Sequence, residues 1–139
     1  MNANVPVSEI MTRNLITAKA SDSLRSINNL FRDHQIRHLP IVSGDKLVGI
    51  ISKTDLLRLS FGDLYDDQQA ADETVFDLLS TEHVMVNQPI TVQAKESIKA
   101  VAEKMSQVEF HALPVLDEDK IVGIVSTTDL IKYLLQQYA

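Results

Sequence analysis

No cysteine occurs among the 139 residues, so disulfide bonds and thiolate chemistry are excluded. Histidine is scarce, with four residues, too few for a plausible all-protein metal cage. The N-terminus is polar and lacks the apolar core of a secretory leader, and no apolar run approaches a membrane span. A soluble cytoplasmic protein without membrane association is the expectation. A basic stripe is missing too: the formal net charge is −6, which argues against a nucleic-acid surface. The charge is uneven, however. Residues 1–59 carry eight basic and five acidic groups, residues 60–81 six acidic and no basic, and residues 82–139 five basic and eight acidic. The first part can therefore attract a small anion.

What the chain does contain is a repeat. The text from His38 to Leu56 returns from Ala112 to Leu130 at a constant offset of 74: Leu39-Pro40 falls on Leu113-Pro114, Val48-Gly49-Ile50 on Val122-Gly123-Ile124, and Thr54-Asp55-Leu56 on Thr128-Asp129-Leu130. Over Leu15 to Ser60 against Pro89 to Leu134, 15 of 46 positions are identical without a gap. Duplication follows. Each copy is marginal in size alone, and with 45% hydrophobic residues the two are expected to share one core.

The pattern predicts an α+β fold whose unit reads strand, helix, strand, strand, helix. A polar arm, residues 1–6, leads to a turn of helix at Val7 to Met11, with Ile10 and Met11 facing inward. Leu15 to Thr17 reads as a short strand, and Ser21 as the cap of a helix running to about His34, with Leu24, Ile27, Leu30 and Phe31 on one face. His38 to Val42 and Leu47 to Ser52 read as a hairpin turning at Ser43-Gly44-Asp45-Lys46, before a helix from Thr54. In the second copy, strands are expected at Ile90–Val92, Ala112–Leu116 and Ile121–Ser126, with helices from Ser97 and from Thr128 to about Tyr138. The expected division is 1–60 as the first repeat, 61–81 as an acidic linker, helical over Glu73 to Leu79 and docked on the repeats, and 82–139 as the second repeat. Both repeats are expected to pack through their sheets, with pseudo-twofold symmetry, into one module.

The two Ser-x-Thr-Asp segments stand where a strand turns into a helix. Free backbone N–H groups at such a start donate well to an anionic phosphate, and Thr54 and Thr128 can add hydroxyl donors. An ionised carboxylate only accepts hydrogen bonds, so Asp55 and Asp129 suit the two hydroxyls of a ribose. Yet Ser52 with Asp55 and Ser126 with Asp129 also have the spacing of a capping box, which needs no ligand. Local sequence alone favours capping. Gly49 and Gly123, inside apolar strands, imply a close approach by another backbone or by a ligand, strand packing being the simpler cause.

These residues resemble a tandem pair of cystathionine-β-synthase (CBS) domains, the Bateman module. The likeness rests on Leu39-Pro40 with Gly49-Ile50-Ile51-Ser52-Lys53-Thr54-Asp55, and on Leu113-Pro114 with Gly123-Ile124-Val125-Ser126-Thr127-Thr128-Asp129, two copies in register across nearly the whole chain. The resemblance implies a non-enzymatic, stand-alone regulatory module for AMP, ADP, ATP or S-adenosylmethionine, with no cofactor required and an unidentified regulated protein as partner. It implies that Ile16, Thr17 and Ala18, and likewise Ile90, Thr91 and Val92, face the adenine. Each cleft would combine the Thr-Asp end of one repeat with the first strand of the other. Asp129 would face Ile16 to Ala18 with Ile36 and Arg37, and Asp55 would face Ile90 to Val92 with Phe110 and His111. Arg37, His38 and Pro40, matched by His111, Ala112 and Pro114, flank the phosphate region. Arg37 and Lys53 are the phosphate candidates, since a guanidinium fork donates two bonds. Because Lys53 is matched by Thr127 and His38 by Ala112, the two sites should differ. A purely structural dimerisation module with empty clefts is the competing reading. The family pattern, together with the apolar supply of Phe31, Leu57, Met105, Ile131 and Leu135, implies a disc-shaped homodimer formed through helices.

Overall fold

The computed structural model describes residues 4–61 and 78–138. The expected linker helix over Glu73 to Leu79 therefore lies outside the described residues up to Asp77. Leu78 is exposed, and Leu79 packs against a buried cluster.

The chain divides into two compact units, but not at the boundaries the repeat suggests. One unit joins residues 1–15 to 89–139; the other is 16–88. The segment before each repeat thus groups by contacts with the other copy.

The unit of residues 16–88 begins with helix α1 (Leu24–His34), which buries Leu24, Ile27 and Phe31. Its N-cap is Ser23, whose side chain accepts the Ser26 N–H at 3.1 Å, and not Ser21. Residues 19–22 form their own turn, in which the Asp22 carboxylate accepts the Lys19 N–H at 2.9 Å. Strands β1 (His38–Ser43) and β2 (Lys46–Ser52) form an antiparallel hairpin with a register shift between Ile41 and Val42. Gly44 occupies the turn with φ +65°, a conformation glycine adopts without strain. Helix α2 (Lys53–Phe61) follows β2 without a break. A short helix α3 (Thr81–Val84) and strand β3 (Val86–Asn87) complete the unit, β3 running antiparallel to β2 with Gly49 opposite Asn87. Ala18, Leu24, Ile27, Phe31, Leu39, Ile41, Ile51 and Leu56 form its core.

The other unit repeats this plan. A 3₁₀ turn at Val7–Glu9 replaces the expected helix to Met11. Strand β4 (Val92–Gln93) pairs parallel with β5 (Ala112–Asp117), β5 antiparallel with β6 (Lys120–Ser126), and Thr12 bridges to Ile124. Helix α4 (Ile98–Gln107) is capped by Ser97, and α5 (Thr127–Gln137) runs two residues longer than α2. Its core is Val7, Met11, Val92, Val101, Met105, Leu113, Val115 and Val125. Each unit has its own cluster of buried residues. Met105 and Phe31, expected to supply a dimer face, are core residues at 5% and 1% exposure.

Proline sets where the first strands lie. Ala18 N–H donates to the Pro40 carbonyl at 3.1 Å and its own carbonyl accepts from Val42 N–H at 2.8 Å. Continuing that parallel ladder back to Ile16 needs an N–H on Pro40, which proline lacks. The expected strand at Leu15 to Thr17 is accordingly absent, and only Ala18 bridges to Ile41. Pro114 acts likewise in the second copy. There the ladder runs forward from Val92 to Gln93, and Ala94 N–H reaches the Leu116 carbonyl at 2.8 Å.

Backbone bonds hold the exchanged segments. Val7 N–H donates to Glu96 O at 2.7 Å, and Thr12 and Ile124 exchange bonds of 2.8 and 3.0 Å. In the equivalent place, Thr81 N–H and its hydroxyl both donate to Asp22 O, at 3.0 and 2.8 Å. The strand glycines admit these segments: a methyl at Gly49 would lie 2.5 Å from Met85 Sδ and 3.0 Å from the Val86 carbonyl oxygen, and one at Gly123 2.5 Å from Met11 Sδ and 3.0 Å from the Thr12 oxygen. A methionine side chain, and just beyond it a neighbouring backbone oxygen, are what both glycines accommodate. Gly49→Ala and Gly123→Ala are each expected to destabilise by about 1–3 kcal/mol, the cost of overpacking against the methionine side chain and the backbone oxygen behind it. Urea unfolding of each variant checks this; unchanged midpoints would contradict the close approach.

Candidate functional site

Each unit carries one strand-to-helix junction built in the same way. In the unit of residues 16–88, Lys53 N–H donates to the Arg37 carbonyl at 2.8 Å, which fixes the residue before β1 beside the start of α2. In the other, Thr127 N–H donates to the His111 carbonyl at 2.9 Å. The Ser and Asp of each motif bond reciprocally. Asp129 N–H reaches Ser126 Oγ at 3.2 Å while Asp129 Oδ2 accepts Ser126 N–H at 2.9 Å; the corresponding distances for Asp55 and Ser52 are 3.0 and 3.4 Å. The capping role read from the spacing is therefore realised, and it occupies one carboxylate oxygen of each Asp.

The remaining oxygens differ. Asp55 Oδ1 lies 3.5 Å from Arg58 Nη1, an i,i+3 ion pair. Among the described residues Asp129 Oδ1 has no partner, and Lys132, at the position matching Arg58, makes no ion pair. Arg58 was missed by the motif reading, although its spacing from Asp55 is an ordinary helical pairing distance. Lys53, Thr54 and Arg37 are exposed, as are Thr128 and His111. Both Asp residues are half-buried.

The adenine-facing candidates divide between the units. Ile16, Thr17 and Ala18 stand before α1, with Ala18 buried beside Pro40, Ile36 half-buried and His38 half-buried at the start of β1. Thr91 is half-buried, its carbonyl accepting from Lys104 at 3.4 Å; Val92 and Pro114 are buried. Ile90 and Phe110 stay exposed at 41% and 46%, which leaves apolar surface open in the unit that holds Asp129. An open cleft of about 380 Å³ lined by Pro6, Ser8, Gln93, Ala94, Lys95, Asp117 and Glu118 lies at the far end of β5 from this junction. Its lining mixes the apolar Pro6 and Ala94 with charges of both signs.

A family model for the CBS domain matches residues 7–62 and again 81–136. The chain is 30% identical to the uncharacterized protein MJ1225 of Methanocaldococcus jannaschii over 96% of this chain and 48% of that one, so it spans about half the length of this relative. The crystal structure of that protein, described as a putative archaeal homolog of γ-AMPK, superposes with a TM-score of 0.82. CBSX2 of Arabidopsis thaliana in complex with AMP is 27% identical, with a TM-score of 0.80 and coverage of 97% and 99%. The CBS domain pair of MJ0100, in complex with 5′-methylthioadenosine and S-adenosyl-L-methionine, is 30% identical, with a TM-score of 0.75 and coverage of 97% and 98%.

Proposed function

The chain belongs to the CBS-domain family, and on that premise we propose that it is a regulatory module that binds adenosine-containing ligands and performs no catalysis. The observation that carries this reading is the pair of intact strand-to-helix junctions, each with a half-buried Asp behind an exposed Thr, in a chain similar to pairs solved with AMP and with S-adenosylmethionine. Asp55 and Asp129 take ribose hydroxyls. Ile16 to Ala18, Ile36, Ile90 to Val92 and Phe110 face the base, with Pro40 and Pro114 shaping the strands behind them. Arg37, His38, Lys53, Thr54, His111 and Thr128 serve the phosphate or its substitute. Which of AMP, ADP, ATP and S-adenosylmethionine binds is decided by a thermal-shift screen over these four and NAD. A ligand of the folded state at a hundred times its Kd adds about 2.7 kcal/mol to stability. No shift with any of them would leave the competing reading, a structural module with empty clefts, which is favoured by capping boxes complete without ligand.

The module is further proposed to be a cytoplasmic homodimer that signals to a regulated protein. Among the described residues no helix is long and apolar enough to cross a membrane. Leu57 on α2, Ile131, Leu134 and Leu135 on α5, and Tyr138 at its C-cap are exposed at 41%, 56%, 44%, 63% and 80%. The last four recur at helical spacing and form one stripe. Sedimentation at micromolar concentration is expected to show a dimer, and Leu135→Glu with Ile131→Glu a monomer of unchanged fold. A wild-type monomer would remove the dimer from this account.

A further inference from the structure

The two junctions differ in ways that bear on ligand charge. At the start of α2 stand Lys53 and, one turn on, Arg58, 3.5 Å from Asp55. The matching positions on α5 are Thr127 and Lys132. Two permanent cations thus face one. The carboxylates differ in the opposite sense. Asp55 has one oxygen on Ser52 N–H and the other on Arg58, whereas Asp129 Oδ1 has no partner among the described residues.

Resting on the adenosine reading, we propose that the two units select different ligand classes: the Asp129 unit takes the ribose of an adenosine compound with or without phosphate, whereas the Asp55 unit admits only a phosphorylated one. A ribose diol donates hydrogen bonds, so it needs a free acceptor. Asp129 presents one already. At Asp55 the diol must displace the Arg58 guanidinium, and a neutral nucleoside offers that cation nothing in return. A phosphate does, because the guanidinium fork matches its oxygens and Lys53 stands on the same first turns of α2. Arg58 is 76% exposed, so nothing packs it in place against Asp55. It acts as a gate on charge.

The test is titration calorimetry of the full chain with adenosine and with AMP, in low and high salt. Wild type is expected to bind one equivalent of adenosine and two of AMP per chain. Raising salt should weaken only one of the AMP steps, by about tenfold, since exposed charge pairs are screened. Arg58→Gln frees the Asp55 oxygen, so adenosine should rise to two equivalents while that AMP step weakens. Asp129→Asn, which keeps an acceptor for Ser126 N–H, should abolish adenosine binding and leave one AMP. Two equivalents of adenosine in wild type, or an Arg58→Gln chain still binding one, overturns the proposal while leaving the adenosine reading intact. Absence of any saturable heat with adenosine, AMP and ATP in a chain that melts cooperatively overturns that reading, and the proposal falls with it.

Discussion

Phe31→Ala is expected to lower the unfolding free energy by about 3–5 kcal/mol, the cost of emptying a large buried aromatic site. Phe31 is 1% exposed, and α1 brings it into a cluster with Leu24, Ile27, Leu39 and Ile41. Against a total stability of about 5–15 kcal/mol, such a loss leaves the unit of residues 16–88 close to unfolding at room temperature. Leu135→Ala, at a side chain 63% exposed, should change stability by less than about 0.5 kcal/mol. Urea denaturation followed by circular dichroism separates the two. A small effect at Phe31, coupled with a shift in association state, would return it to the dimer surface on which its sequence context placed it.

Removing Arg37 and removing Asp129 should have separable effects on binding. Asp129→Ala takes away a carboxylate that all adenosine compounds meet through the same ribose, so at the Asp129 site it should weaken adenosine, AMP and ATP alike, leaving the AMP step at Asp55. Arg37→Ala should leave adenosine nearly unchanged and weaken AMP and ATP by about 1.5–3 kcal/mol, the range for a hydrogen bond to a charged group. Added salt should reproduce part of that loss. Asp129 also accepts the Ser126 N–H at 2.9 Å, so its replacement should cost about 1 kcal/mol of stability through the cap as well. Calorimetry beside a melting curve distinguishes these consequences. Equal weakening of adenosine and AMP by Arg37→Ala would refute the phosphate assignment, and an Asp129→Ala chain with full affinity but lower stability would reduce Asp129 to a cap.

Most of the local structure was legible because it is decided within a few residues. The β-branched apolar runs Leu47 to Ile51 and Ile121 to Val125, each after a turn, carry the hairpin strands, and the helix expected from Ser97 starts there with Ser97 as its cap. Ser21 and Ser23 are equally good caps by composition. What decided between them is the Asp22 carboxylate, which closes residues 19–22 into a turn and leaves Ser23 as the last extended residue. The first strands were misplaced because periodicity ignores the partner, and the partner here is a proline without an N–H to give. Local pattern also cannot say which copy the segment before each repeat will join. Its trace in the text is indirect: Met11 and Met85 are 74 residues apart, as are Gly123 and Gly49, but only the fold sets Met11 on Gly123 and Met85 on Gly49. The motif residues Thr54, Asp55, Thr128 and Asp129 stood out by repetition. Arg58 did not, because its match is Lys132 and the difference between them becomes visible only as an ion pair.

The claim at the centre of this account, that both junctions serve adenosine-containing ligands, is tested most directly by equilibrium dialysis of AMP against the wild-type chain and against Asp55→Ala with Asp129→Ala. The account predicts saturable binding to the wild type and its loss in the double variant, with both chains melting in one cooperative transition. Absence of saturable binding to the wild type, or full binding by the double variant, would contradict it.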